Sequence, residues 1–296
     1  MKVTYNSLNT YLRDRFGCKV YKVALDGGFT CPNRDGTIDT RGCIFCSSGG
    51  SGEFAARGNT VKEQLRAGKD LIGSKLPIGE KALYIAYFQA YTNTYGPLEE
   101  LKRKFTEALE DPEVCVLSIA TRPDCLPEEV LSLLQELNTV KPVWVELGLQ
   151  TIHPETAEYI RRGYDLSVYD TAVKELTSRG IEVITHVILG LPGETKEDMV
   201  ETVRYVGVSG SKGIKLQLLH VLKGTDLAKD YEAGRFRTLT LEEYTDILIS
   251  CIQVLPKDMI IHRLTGDGDK RLLVAPLWSA DKKKVLNTLS RYLQAT

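Results

Sequence analysis

Cys31-Pro32-Asn33-Arg34-Asp35-Gly36-Thr37-Ile38-Asp39-Thr40-Arg41-Gly42-Cys43-Ile44-Phe45-Cys46 places three thiols in one glycine-containing loop, with a C-x2-C pair at its end. Neither a histidine nor a fourth cysteine lies nearby; the next histidine is His153. A structural zinc site normally takes four Cys or His ligands, so a local zinc knob here would be incomplete. A disulfide needs an oxidising compartment and would leave one thiol over. Three unrelated free cysteines would not be expected to crowd into one loop. Three ligands suit a metal centre with an open position, and in a [4Fe–4S] cluster held this way one iron is left to bind a small molecule.

The chain around this loop alternates apolar and amphipathic runs. Val20–Leu25, Ala82–Phe88, Val114–Ala120, Val143–Leu149, Glu182–Leu189 and Ile214–Leu219 read as buried parallel strands. Helical patterns lie between them at Val61–Leu71, Leu98–Leu109, Pro127–Leu137, Pro154–Arg161, Val168–Ser178 and Lys196–Val206. Pro127-Glu128-Glu129 and Thr195-Lys196-Glu197-Asp198 are helix-start signals, the second a capping box with Asp in place of Glu. Repeated right-handed βα units give an open doubly wound sheet or a β/α barrel. In both, ligands bind at the carboxyl edge of the strands, where the three-cysteine loop falls. After Leu219 the pattern changes: Leu241–Val254 reads as a helix, Met259–Arg263 as a short strand and Lys282–Leu293 as a last helix. The expected division is a catalytic core over residues 1–220 with an extension over 221–296 packed on it.

With 296 residues, 43% hydrophobic and 26% charged, the chain can bury a sizeable core. A formal net charge of −1 excludes a global basic field, so any nucleic acid would need a local patch. Arg13, Arg15, Lys19 and Lys22 form one candidate patch, and Trp278 beside Lys282, Lys283 and Lys284 another. The N-terminus lacks an apolar stretch for secretion or membrane insertion, which with seven cysteines points to a reducing cytosol and no membrane partner.

The stretch Asp26-Gly27-Gly28-Phe29-Thr30-Cys31-Pro32-Asn33-Arg34-Asp35-Gly36, ending in Gly42-Cys43-Ile44-Phe45-Cys46, resembles the radical S-adenosylmethionine (SAM) superfamily. The nearest likeness is to its Elp-like branch, which includes the YtqA/YhcC-type family and also has a longer first spacing than the common C-x3-C-x2-C. The resemblance implies a partial (β/α)6 barrel with a C-terminal α/β extension. It implies that Cys31, Cys43 and Cys46 bind a [4Fe–4S] cluster, whose open iron takes SAM. Reductive cleavage of SAM then gives a deoxyadenosyl radical that removes hydrogen from substrate.

Further roles follow from the same resemblance. Phe45 is similar to the aromatic against the adenine. Val145-Glu146-Leu147-Gly148-Leu149-Gln150-Thr151 looks like a strand motif in which Glu146 and Gln150 contact SAM. A glutamate inside an apolar strand is in any case costly to bury without a partner. Arg161-Arg162-Gly163-Tyr164 resembles an R-G-H element, with Arg162 toward the methionyl carboxylate and Tyr164 replacing the usual histidine. His186, in the glycine motif that runs to Gly193, and Leu222, after the sixth strand, complete the expected SAM pocket.

Residues at other strand ends are candidates for substrate work. Tyr87, Tyr91 and Cys125 are candidate hydrogen-atom donors; Gln89, Arg122, Asp124, His262, Arg263 and Trp278 are candidate substrate contacts. The branch implies a transfer-RNA substrate modified at the wobble uridine, here trimming of carboxymethylaminomethyl-uridine to aminomethyl-uridine, with Arg122 on the carboxylate. It also implies an electron donor such as flavodoxin or ferredoxin and a downstream tRNA methyltransferase. A radical enzyme acting on a small metabolite or peptide, and a non-catalytic iron–sulfur redox module, are the alternatives. Methylthiolation and a coenzyme A-dependent reaction are disfavoured, since the chain shows neither a second cluster motif nor room for an acetyltransferase domain.

Overall fold

The computed structural model describes all residues except 1–3, 51, 53, 57, 75, 77–79, 267 and 296. The chain opens with β1 (Asn6–Ser7), α1 (Leu8–Phe16) and β2 (Lys19–Leu25), then α2 (Val61–Gly73), β3 (Ala82–Phe88), α3 (Leu98–Leu109) and β4 (Val114–Thr121). Its middle holds α4 (Glu128–Asn138), β5 (Val143–Gln150), α5 (Pro154–Tyr159), α6 (Leu166–Ser178), β6 (Glu182–Leu189), α7 (Lys196–Val208) and β7 (Gly213–Leu218). The last part holds β8 (Val221–Leu222), α8 (Asp226–Glu232), α9 (Leu241–Val254), β9 (Ile260–Arg263), β10 (Leu273–Ala275) and α10 (Lys282–Ala295).

Eight strands form one parallel sheet in the order β1-β9-β7-β6-β5-β4-β3-β2. Strands β2 to β7 lie in chain order, as successive right-handed βα units require. The edge strands β1 and β2 do not pair with each other, so the sheet curls into a partial barrel. Strand β9 crosses the division expected at residue 220 and inserts between β7 and β1 of the same sheet. Strands β8 and β10 form a separate antiparallel pair.

The strands read as continuous apolar runs because both their faces are buried. One face, with Leu117, Ile119, Val145, Leu147, Val187 and Leu216, joins the large core under the helices. The other, with Ile85, Val116, Trp144 and Ile184, points inward and meets Leu12 of α1. Helix α1 had no counterpart among the expected elements. Its Ser7 N-cap accepts from Thr10 N, Gly17 ends it at φ 68°, and Leu12 closes the bottom of the barrel. Full capping boxes start α2 (Thr60, Glu63), α7 (Thr195, Asp198) and α9 (Thr240, Glu243). Among the described residues, no helix is long and apolar enough to cross a membrane.

The sheet's curvature also breaks up the basic cluster expected near the N-terminus. Lys22 projects inward to Glu146 at 2.8 Å, and Arg15 pairs with Glu182 at 2.6 Å, so Arg13, Arg15, Lys19 and Lys22 do not make one free cationic face.

Candidate active site

The loop between β2 and α2 carries the three cysteines to the carboxyl ends of the strands. Tight turns shape it: Arg34 N donates to Cys31 O at 2.8 Å, Gly42 N to Asn33 O at 2.7 Å and Cys46 N to Cys43 O at 2.9 Å. Gly42 sits at φ 76°, and a Cβ there would lie 3.0 Å from Arg34 Nε. Arg34 donates to the carbonyls of Cys46 (2.9 Å) and Ser47 (2.5 Å). Buried Asn33 donates through Nδ2 to Arg161 O at 2.8 Å, tying the loop to the turn after α5, and lies 3.5 Å from Cys43 Sγ. Burial, with Cys46 adding to it, pushes the Cys43 thiol up to about 12.

Cys31, Cys43 and Cys46 line a cavity of about 260 Å³. All but four of the expected site residues share it: Phe45, Tyr87, Gln89, Tyr91, Arg122, Glu146, Gln150, Arg162, His186, Leu222 and Arg263 also line its wall. The four others lie elsewhere. Asp124 and Cys125 line a neighbouring cavity behind the loop. The His262 ring packs edge-on against Trp144 at 5.3 Å, below the cavity. Trp278 donates through Nε1 to Leu239 O at 2.9 Å and packs on Tyr244, so its indole is held by α9 and its approach rather than offered to a base.

The floor of the cavity is a polar layer contributed by consecutive strands. Glu146 (β5), fully buried, accepts from Lys22 (β2, 2.8 Å), Ser118 (β4, 2.8 Å), His186 (β6, 2.7 Å) and Lys215 (β7). Lys215 also donates to the Tyr87 hydroxyl (β3) at 3.0 Å. Burial opposes charge on Glu146, but Lys215, Lys22 and His186 together hold it well below the usual carboxylate range. Burial and the neighbouring Lys215 ammonium push His186 down to about 4, so its ring is neutral near pH 7 and donates to the carboxylate. Burial, then Glu146, raises the Tyr87 phenol. Lys215 and Lys22 were not among the expected site residues. A lone lysine within the apolar run Gly213-Ile214-Lys215-Leu216 carried the same signal as Glu146.

The strand ends above this floor depart from regular geometry. Gln150 closes β5 at φ 71° beside a register shift against β6, and its buried Oε1 has no hydrogen-bond partner. A Cβ at Gly148 would lie 2.9 Å from Gln150 Nε2, so glycine leaves that amide its room. A strained residue with an unpartnered amide oxygen in a cavity wall is a feature of ligand sites. The Arg162 guanidinium is committed to backbone carbonyls: Thr151 at 2.6 Å, Leu149 at 3.3 Å and Tyr164 at 2.9 and 3.1 Å. These bonds brace the strand end. Tyr164, whose hydroxyl donates to Gly148 O, lies between Arg162 and Arg122, 4.6 and 5.2 Å from its ring centroid. Arg122 binds Asp124 with both arms of its fork, at 2.9 and 2.7 Å. Tyr91, at φ 57°, donates to Ser48 O at 2.5 Å and steadies the loop after the third cysteine.

A parallel partial barrel with a three-thiol loop over its carboxyl edge defines a radical SAM protein. The superfamily model for that class matches residues 39–206, more than half the chain, and the radical SAM C-terminal domain model matches residues 211–295. The chain belongs to the radical SAM superfamily and, within its Elp-like branch, to the family of YtqA and YhcC. It is 46% identical over 290 residues to the uncharacterized protein YtqA of Bacillus subtilis, covering 98% of this chain and 89% of YtqA. To YhcC of Escherichia coli it is 39% identical, covering 95% of this chain and 90% of YhcC. The tRNA uridine(34) acetyltransferase of Methanocaldococcus jannaschii is 28% identical over 60% of this chain and 32% of its own length. A solved Elp3 of Methanocaldococcus infernus has the same fold, with a TM-score of 0.64 at 19% identity; the match covers 90% of this chain and 63% of that one. The family uses a [4Fe–4S] cluster and SAM.

Proposed function

We propose that this enzyme trims the carboxymethylaminomethyl side chain of a transfer-RNA wobble uridine to the aminomethyl form. The observation that carries the site assignment is the meeting of Cys31, Cys43, Cys46 and the unpartnered Gln150 amide in one cavity at the carboxyl edge of the sheet. These residues fit the cofactor pair: three soft thiolates for the cluster, and a waiting amide with glycine clearance for SAM. When bound and reduced, the pair supplies a deoxyadenosyl radical. The chain's own residues do the rest. Phe45 and Leu222 offer apolar walls for the adenine, and Gln150 orients SAM. Tyr87 and Gln89 face the substrate side, where the bound substrate would fill the cavity and keep water from the reacting carbon.

The likeness to a tRNA uridine(34) acetyltransferase supports an RNA substrate. A flavodoxin- or ferredoxin-type donor would reduce the cluster, and a methyltransferase would consume the aminomethyl product. The test is anaerobic reconstitution, dithionite reduction and chromatography of deoxyadenosine with and without bulk tRNA, paired with Cys43→Ala. Release stimulated by tRNA and absent in Cys43→Ala, with loss of carboxymethylaminomethyl-uridine by nucleoside mass analysis, supports the reading. Release indifferent to tRNA redirects it to a small-molecule substrate, and none from a loaded, reducible cluster to a redox module.

A further inference from the structure

The cavity wall holds several cations, and most are already committed. Arg122 has both arms on Asp124, Arg162 is spent on backbone carbonyls, and Arg34 holds the carbonyls of Cys46 and Ser47. Lys215 differs. It is 3% exposed, it lines the cavity floor, and its bonds to Glu146 and Tyr87 use two of its three donors. Glu146 is shared with Lys22, so one carboxylate faces two ammonium groups. Arg263, the residue paired with Lys215 in register on β9, lines the same floor. Burial and the fields of Lys22 and Arg263 work against the Lys215 charge, with only Glu146 opposing them. An anion arriving from the open side would relieve that conflict.

We propose that Lys215, with Arg263 beside it, is the seat of a carboxylate carried by the substrate. This deepens, and rests on, the reading that the substrate side chain ends in a carboxymethylamino group. The seat replaces Arg122 as the carboxylate contact, because Asp124 already fills the Arg122 fork. It also gives the site a direction. The substrate side chain enters with an anionic tip that the floor attracts; the trimmed product ends in an ammonium that Lys215 and Arg263 repel. In a buried site such charge-assisted hydrogen bonds discriminate strongly, because a neutral analogue leaves Lys215 and Lys22 sharing the single Glu146 carboxylate.

The experiment titrates 5-carboxymethylaminomethyl-uridine and its carboxamide into the reconstituted, SAM-loaded enzyme, as wild type, Lys215→Met and Lys215→Arg. Wild type is expected to prefer the carboxylate by roughly ten- to hundredfold, the range of a hydrogen bond to a charged group. Lys215→Met should erase the preference and Lys215→Arg should keep most of it. Equal binding of acid and amide by wild type, or a preference that survives Lys215→Met, overturns the seat. If Lys215→Met does not fold, Arg263→Met decides together with the wild-type preference. The tRNA reading has its own readout in tRNA-stimulated deoxyadenosine release. If that fails and neither nucleoside binds, N-methylglycine and its amide become the probes, and wild type must still favour the acid or the seat falls.

Discussion

Replacing Glu146 by glutamine tests the polar floor most directly. Glutamine keeps the shape and can still meet Ser118 and His186, so the change isolates the charge. The structure sets the scale. Glu146 is fully buried and Lys215 is 3% exposed, so the lost carboxylate leaves an ammonium that water cannot reach. Breaking a buried pair by removing one partner costs about 3–5 kcal/mol. Lys22, 23% exposed, can turn toward solvent, so Lys22→Met should cost about 1 kcal/mol or less. A domain with about 5–15 kcal/mol of net stability would lose a large share with Glu146→Gln alone. The assay is guanidinium denaturation of the single variants and of Glu146→Gln/Lys215→Met. The double variant should recover at least about 2 kcal/mol, because it removes the stranded ammonium. If Glu146→Gln stays within about 1 kcal/mol of wild type, or the double variant is no better than the single, the reasoning is wrong.

Three further outcomes are expected. His186 has its pKa lowered to about 4 against about 6.5 unfolded, so between these pH values the unfolded chain binds a proton that the folded one refuses. Its contribution is therefore complete well above pH 6.5 and is lost on acidification toward pH 4, on the order of 3 kcal/mol in all; urea melts at pH 7.5 and 5 should show about 2 kcal/mol of that loss, and His186→Gln should flatten it. Gln150→Gly should leave stability unchanged or higher, since it relieves about 1 kcal/mol of left-handed strain and removes an unpartnered buried amide, while the KM for SAM rises. A substitution that weakened both would mark Gln150 as a structural residue. Gly68→Ala gains about 1 kcal/mol of helix propensity in α2, but its Cβ would lie 2.3 Å from Val23 Cγ1. Overpacking of about 1–3 kcal/mol should win or cancel, so a thermal melt that rises would contradict the packing seen between α2 and β2.

The expected strands at Ala82–Phe88 and Glu182–Leu189 and the helices at Leu98–Leu109 and Leu241–Val254 have the observed bounds, because two-sided burial in strands and amphipathic periodicity in helices leave a local imprint. Helix α1 and the short β1, β8, α8 and β10 left too little periodicity to read. Glu146 is legible because a charge in an apolar strand needs a partner, and Lys215, in its own apolar run, carries the same signal.

The sequence by itself determined the order of βα units and the three-thiol loop, since covalent spacing and side-chain periodicity are local properties. Only the tertiary structure decided that Lys22 turns inward rather than to solvent and that Asp124 occupies Arg122. It also decided that β9 completes the sheet and that Lys215 faces the cavity floor. Those outcomes depend on the register and curvature that bring inward positions of separate strands together, and no single stretch of chain encodes which of its neighbours it will meet.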